Sequence, residues 1–415
     1  MKYYILLFSI LFLIGCGEME AEMHEETMTT EEEAMHTTTI HNILYYGDIV
    51  SNKVVAVDID KMMLTQSIDS NGEYPYEVAQ GFGTELFVIN RKDYTLGVLD
   101  TISNTISSEI ALDFYPRSVK INNDDVFLTS ANEPAGAIIN TNIASPSYTD
   151  SAYVEPVSYG GSNATGHPVW VDDNYFLLLD RTENSIELYT KGNYRPIDKL
   201  TTKSSVHHVM LKDGYYYGVE EGEQTVVSPG IIKFSVANGK ISLQKERLLS
   251  ELKDLPRDFL SETWGSHHAA FHPSKEYIYV GSTEGNVFVM DLAQLSLVDT
   301  FKSGKGVGHI TFYDNMLITT NHYDNFKSFY DVSDPINNKF LKNVYFSNHI
   351  YSDITMQSHT THFVGNRMYF MFNTDNDATL YEVNLSTLSI ERKVMLFNHY
   401  CLMGSLVESE STSDM

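Results

Sequence analysis

The sequence predicts an all-β protein, a β-propeller of eight four-stranded blades. Three observations carry that expectation: short alternating strands bounded by turn residues, a four-strand unit of about 40 residues that recurs along the chain, and a unit split between the two ends. The alternation is plain in Glu85–Asn90, Thr95–Asp100, Tyr175–Asp180, Tyr277–Gly281 and Asn286–Asp291. Each mixes β-branched or aromatic residues with polar ones and stops at Asn, Asp, Gly or Ser. Helical periodicity is almost absent.

The chain opens with one basic residue, Lys2, and an apolar run from Tyr3 to Gly15 that ends in Leu13-Ile14-Gly15-Cys16. The run is shorter than the roughly 20 residues a bilayer-spanning helix needs, so residues 1–15 read as a signal peptide. The closing tetrapeptide resembles the bacterial lipobox, which implies lipidation at Cys16 and membrane attachment through that anchor only. Gly17 in the next position points to the outer membrane, facing the periplasm. The second cysteine, Cys401, then has no intrachain disulfide partner, and cysteine-rich metal motifs are excluded.

Residues 16–41 carry eight glutamates and no lysine or arginine, interleaved with Met19, Met23, His24, Met28, Met35, His36 and His41. That composition predicts a flexible acidic tether. Its thioether, imidazole and carboxylate groups also suit capture of a metal ion: thioethers favour copper(I), imidazole with carboxylate favours zinc.

The propeller is expected over 42–407, with 408–415 as a disordered tail. Residues 42–70 supply three strands, Asn42–Gly47, Lys53–Asp58 and Leu64–Ile68, and lack a first one. His399–Leu406 supplies a first strand and lacks the rest. Sharing one blade between the two ends closes the ring and removes open sheet edges. The complete unit is clearest over 266–302. Aligned on their first strands, the units begin at Tyr74, Tyr115, His167, His207, His268, His309, His359 and His399, at intervals of 41, 52, 40, 61, 41, 50 and 40 residues. A seven-bladed ring follows instead if one of the long intervals is a misaligned insertion.

Six consecutive units therefore place a histidine where the first strand enters the central channel. With 15 histidines in 415 residues, about one position in 28, chance does not produce this. Convergent neutral imidazoles on a rigid ring suit a metal, because each ligand is positioned by its own strand and none repels another. The candidate ligands are His167, His207, His208, His267, His268, His309, His359 and His399. Alternation in a strand sends only one member of each doublet, His207-His208 and His267-His268, toward the axis. Loops between second and third strands add Asp180, Glu220, Glu221, His322 and Asp375 as ligands or tautomer-fixing acceptors. His272 and His362 sit farther along and read as core or surface. The competing reading packs each histidine singly between blades.

Tyr277–Leu292 resembles the YVTN-type repeat of WD40-like secreted bacterial propellers. Gly166-His167-Pro168, Gly308-His309 and Trp264-Gly265-Ser266-His267-His268, with an acidic N-terminal segment, resemble the AztD family of periplasmic zinc metallochaperones. That resemblance implies zinc held at the axial face and passed to the solute-binding protein of a metal importer. The lipid anchor and the Met- and Glu-rich tail depart from it, which leaves copper as the alternative metal. A more distant resemblance is to the propeller domain of nitrous oxide reductase, whose electron entry depends on paired cysteines that this sequence lacks.

A net charge of −27 excludes nucleic acid as a partner. No Gly-x-Ser-x-Gly, phosphate-loop or His-Glu-x-x-His motif is present. The expected function is thus an envelope metal-binding protein without catalysis. The alternatives are a metal-dependent hydrolase or oxidase and a non-catalytic interaction scaffold.

Overall fold

A computed structural model describes residues 37–140, 151–154, 164–193, 195–222, 227–252, 266–351 and 354–413. The expected signal peptide, Cys16 and most of the tether lie outside these residues. Ile40–Ser409 forms one compact unit.

Alternating sequence becomes eight four-stranded antiparallel sheets, so the count of eight holds and the seven-bladed alternative falls. Blade 1 is the shared one. Its strands run in the order Met63–Asp69, Lys53–Asp58, Thr37–Asp48 and Cys401–Ser413, the last coming from the C-terminal end. Blades 2 to 8 follow in chain order, each starting with its inner strand: Pro75–Gln80, Pro116–Asn122, Val169–Trp170, Val206–Lys212, Ser266–Phe271, Val307–Tyr313 and His362–Val364. Among the described residues the single helical element is the 3-10 turn Leu249–Glu251.

The core lies between blades. Eight apolar clusters among the described residues correspond to the eight blade–blade contacts. Phe87, Leu96 and Val98 of blade 2 pack on Val126, Leu128 and Ile139 of blade 3, and Leu44, Tyr46 and Val55 of blade 1 pack on Tyr369, Met371 and Leu380 of blade 8. Middle strands are buried on both faces, so they read as continuous apolar runs, whereas outer strands such as Met63–Asp69 stay largely exposed. The blade 1–blade 8 contact joins chain ends more than 300 residues apart.

Among the buried charged residues is a lysine. Lys327 is fully buried, with Nζ 2.6 Å from Thr320 Oγ1 and 3.3 Å from Thr361 Oγ1, beside the Phe370 ring. Burial pushes its ammonium down to about 7. The unfolded chain, with a lysine near 10.4, binds the extra proton across the interval between these values, so stability rises with pH from about 7 to about 10. Lys327→Met removes that slope. Denaturant unfolding at pH 6 shows the variant more stable by on the order of a few kcal/mol, and the gap narrows toward pH 10.

Candidate functional site

One backbone hydrogen bond repeats around the ring and sets the axial register. In seven of the blades a backbone N–H at the end of the second strand donates to a carbonyl where the chain enters the inner-strand segment: Ile49 to Tyr400, Arg91 to Tyr74, Ala131 to Tyr115, Arg181 to Ala164, Glu221 to Ser205, His322 to Gly306 and Asn373 to Met356. Three residues beyond each carbonyl stand Met403, Glu77, Ser118, His167, His208, His309 and His359. The register of Ser266 opposite Ser282 adds His268 in blade 6. Five neighbouring blades, 4 to 8, thus present a histidine at the same height.

A β-bulge lies just above this layer. The pairing skips one residue in blade 2 (Tyr76), blade 3 (Arg117), blade 5 (His207) and blade 7 (Gly308), and two in blade 6. A bulge defeats strict alternation. The expectation that one member of His207-His208 faces away is therefore wrong: both rings contact His167, at centroid distances of 5.0 and 5.7 Å, and His268, at 5.1 and 4.7 Å. The side chain of His267 lies outside the described residues.

The imidazoles form a continuous arc. His268 stacks on His309 at 4.1 Å, His309 meets His359 and His322 at 5.3 Å each, and His322 meets His359 at 4.7 Å. His399 departs from expectation. It precedes the inner strand of blade 1 by two residues and its Nδ1 pairs with Asp48 Oδ2, while Met403 takes the channel position.

Within the arc, His167, His207 and His268 have ligand atoms within 4.8 Å of one another. Two of the tautomers, those of His207 and His167, are set from behind. Glu221 Oε1 lies 3.1 Å from His207 Nδ1, so that nitrogen donates and Nε2 keeps its lone pair. Glu221 is itself held by Arg181 Nε at 2.9 Å and Ser205 Oγ at 3.0 Å. His167 Nδ1 lies 3.1 Å from Ser118 Oγ, and Ser118 bonds Glu77, whose carboxyl burial pushes up to about 7. With the serine hydroxyl donating to Glu77, His167 Nδ1–H donates to Ser118 and Nε2 again faces the channel.

His322 reaches the arc because blade 7 has no side chain in the way. Its Nδ1–H donates to Gln357 O at 3.0 Å, so its neutral Nε2 accepts from His309 Nδ1 at 3.1 Å. A Cβ on Gly308 would meet His322 Cδ2 and Nε2 at 2.1 and 2.3 Å. Gly166, at the corresponding point of blade 4, allows the His167 N–H to reach His207 O at 2.9 Å.

Of the loop residues singled out by sequence, Glu221 and His322 join the site. Asp180 instead accepts the Thr182 and Glu183 N–H groups, and Glu220 those of Lys203 and Ser204. His272 is buried with Nε2 on Val332 O, and burial lowers His362 to about 4, so both stay outside the site as expected. The remaining channel wall was missed from sequence: Tyr76, Glu77, Arg91, Arg117, Ser118 and Met403. Arg117 is buried, with Nη2 3.2 and 3.4 Å from the His207 ring nitrogens; burial lowers it to about 10, and the Arg181 charge adds to the effect. Below the arc a cavity of about 390 Å³ opens, lined by Glu77, Ser118, Lys120, His208 and His309 among others.

A second grouping, His41, Asp58 and Asp60, lies away from the channel, and the Lys61 ammonium already sits 2.8 Å from Asp58.

The fold and site define an eight-bladed propeller with a histidine-lined axial channel. Its backbone is similar to that of apo AztD from Citrobacter koseri, with a TM-score of 0.63, 10% identity, and coverage of 90% of this chain and 99% of that one. The dihydro-heme d1 dehydrogenase NirN in complex with DHE is also similar, with a TM-score of 0.60, 11% identity, and coverage of 88% and 74%. These likenesses are of fold. No protein-family model matches the chain, and no curated protein matches it.

Gly308→Ala is expected to expel the His322 ring and break its bond to His309. Overpacking of this kind costs about 1–3 kcal/mol, readable as a lower midpoint in denaturant. The imidazole resonances of His309 and His322 should shift in NMR spectra while those of His272 stay in place.

Proposed function

We propose that this protein is an envelope metal-binding protein that holds zinc at the axial face of its propeller and passes it to or from a periplasmic partner. The observation that carries the reading is the convergence of His167, His207 and His268, three imidazoles from three different blades, with their ligand atoms within 4.8 Å. Three imidazoles suit zinc; copper is the second choice, favoured by the nearby Met403 thioether and by the methionines of the N-terminal segment. The resemblance to the AztD zinc metallochaperones, which the fold comparison supports at the level of architecture, agrees with this assignment.

Transfer has a material basis in the same arc. His208 and His309 stand next to the trio, and His359 and His322 next to His309, so an ion leaving one ligand finds another imidazole within a few ångströms. The tether of residues 16–41, anchored to the outer membrane through Cys16, would supply further ligands, and a periplasmic metal-transport solute-binding protein would be the acceptor or donor.

Zinc content of untagged protein tests the reading directly. About one zinc per chain is expected, falling below roughly 0.2 in His268→Ala and His207→Ala with the fold intact by circular dichroism. Metal content unaffected by either substitution refutes the axial site. Deleting residues 18–36, which stops short of the blade 1 strand Thr37–Asp48, should slow zinc release to a chelator while leaving the equilibrium affinity within about twofold; an unchanged rate removes the tether from the mechanism.

A further inference from the structure

The small axial cavity, about 30 Å³, is lined by Tyr76, Arg91, Arg117, Met403 and five histidines, and by no carboxylate. Two guanidinium groups thus share a narrow space with a set of cation ligands, in a chain whose net charge is −27. That is the opposite of what a cation alone requires.

The arginines are built in. The Arg91 guanidinium lies 3.1 Å over the Tyr76 ring and donates from Nη2 to the Arg117 carbonyl at 3.1 Å, which fixes its plane and one edge. Arg91 Nε is buried without a hydrogen-bond partner. Arg117 points across the channel at His207. Arg117 Nη2 lies 3.2 Å from His207 Nδ1 and 3.4 Å from Nε2; with Nδ1–H given to the Glu221 carboxylate, the lone pair within the guanidinium's reach is that of Nε2, the one a metal would use. The carboxylate behind it gives no relief, because Glu221 is engaged by Arg181, Ser205 and His207.

Guanidinium forks match carboxylate-type oxyanions in plane and spacing. We propose that Tyr76, Arg91 and Arg117 form an anion subsite for a small carboxylate-type oxyanion, such as bicarbonate or acetate, whose binding draws Arg117 off His207 and supplies an oxygen ligand beside the histidine trio. Anion and metal then bind with mutual reinforcement, each raising the affinity for the other by the same factor. The inference rests on the metal-binding reading for its second half. The anion subsite itself is independent of it.

The test is a zinc titration of the full-length protein against a competing chelator at pH 7.5, in chloride, acetate or bicarbonate at equal ionic strength. Acetate or bicarbonate should tighten zinc binding by about 5-fold or more over chloride. Arg91→Ala and Arg91→Lys should both abolish the difference, the second because it keeps the charge and loses the fork. Arg117→Ala should tighten zinc binding in chloride, because the competing guanidinium is gone. A separate arm titrates metal-free protein with carbon-13 bicarbonate by NMR, with Arg91→Ala as control. Equal zinc affinity in all three media, with no Arg91-dependent bicarbonate binding, overturns the proposal and leaves the zinc site standing. No zinc binding in any medium, with Arg91-dependent bicarbonate binding, upholds the anion subsite and refutes the metal reading.

Discussion

Everything at the axis depends on the inner strands sharing one register. The repeated hydrogen bond from the end of the second strand to the carbonyl where the chain enters the inner-strand segment pins seven of the blades at the same height, and the bulge above it inserts one extra residue into the channel layer. A propeller with strictly alternating inner strands would present a single ring of side chains. Here two layers face the axis, which is how His207 and His208, neighbours in sequence, both reach His167 and His268. Closure of blade 1 by the C-terminal strand makes this register rigid, since no blade can slide without breaking an apolar contact on either side.

The ring is lopsided in chemistry. Blades 4 to 8 supply imidazoles; blades 1 to 3 supply Met403, Glu77, Tyr76, Ser118 and Arg117. Acidic groups stand behind the histidines rather than beside them, Glu221 on His207 and Glu77 through Ser118 on His167. A carboxylate in that position fixes a tautomer and raises the basicity of the ring, without adding a second negative ligand that would tighten the site. The arginines complete the asymmetry by placing positive charge opposite a cluster of neutral donors.

Fold was more legible in the sequence than site. Alternation, spacing and the split terminal unit were enough for eight blades and for the shared closing blade, because strand patterning survives long intervals between units, such as the 52 residues from Tyr115 to His167 and the 61 from His207 to His268. The axial residues were legible only where residue type and register agree, at His167, His208, His268, His309 and His359. Aligning by type misplaced four units: Tyr74 and Tyr115 lie three residues short of Glu77 and Ser118, His207 one short of His208, and His399 four short of Met403. The reason is physical. Register is a property of hydrogen bonds, and a one-residue bulge leaves no mark on composition. Arg91 and Arg117 escaped for the same reason, being ordinary charged residues until the ring folds them inward. His322 was visible as a loop residue, but its entry depends on the missing side chain of Gly308 in a different strand.

The spacing of the trio bears on how firmly such a site would grip. Ligand nitrogens about 2.0–2.1 Å from a tetrahedral zinc lie about 3.3 Å from one another, and the ligand atoms here lie within 4.8 Å of one another. Any adjustment on binding moves side chains already held by Glu221 and Ser118, against a backbone that the ring holds still, so part of the coordination energy would be offset by strain in those contacts. A structural zinc site would gain from four ligands and a sealed shell. Under the proposed function, three tethered imidazoles with more imidazoles within contact distance would take up an ion without locking it in, as exchange with a partner requires.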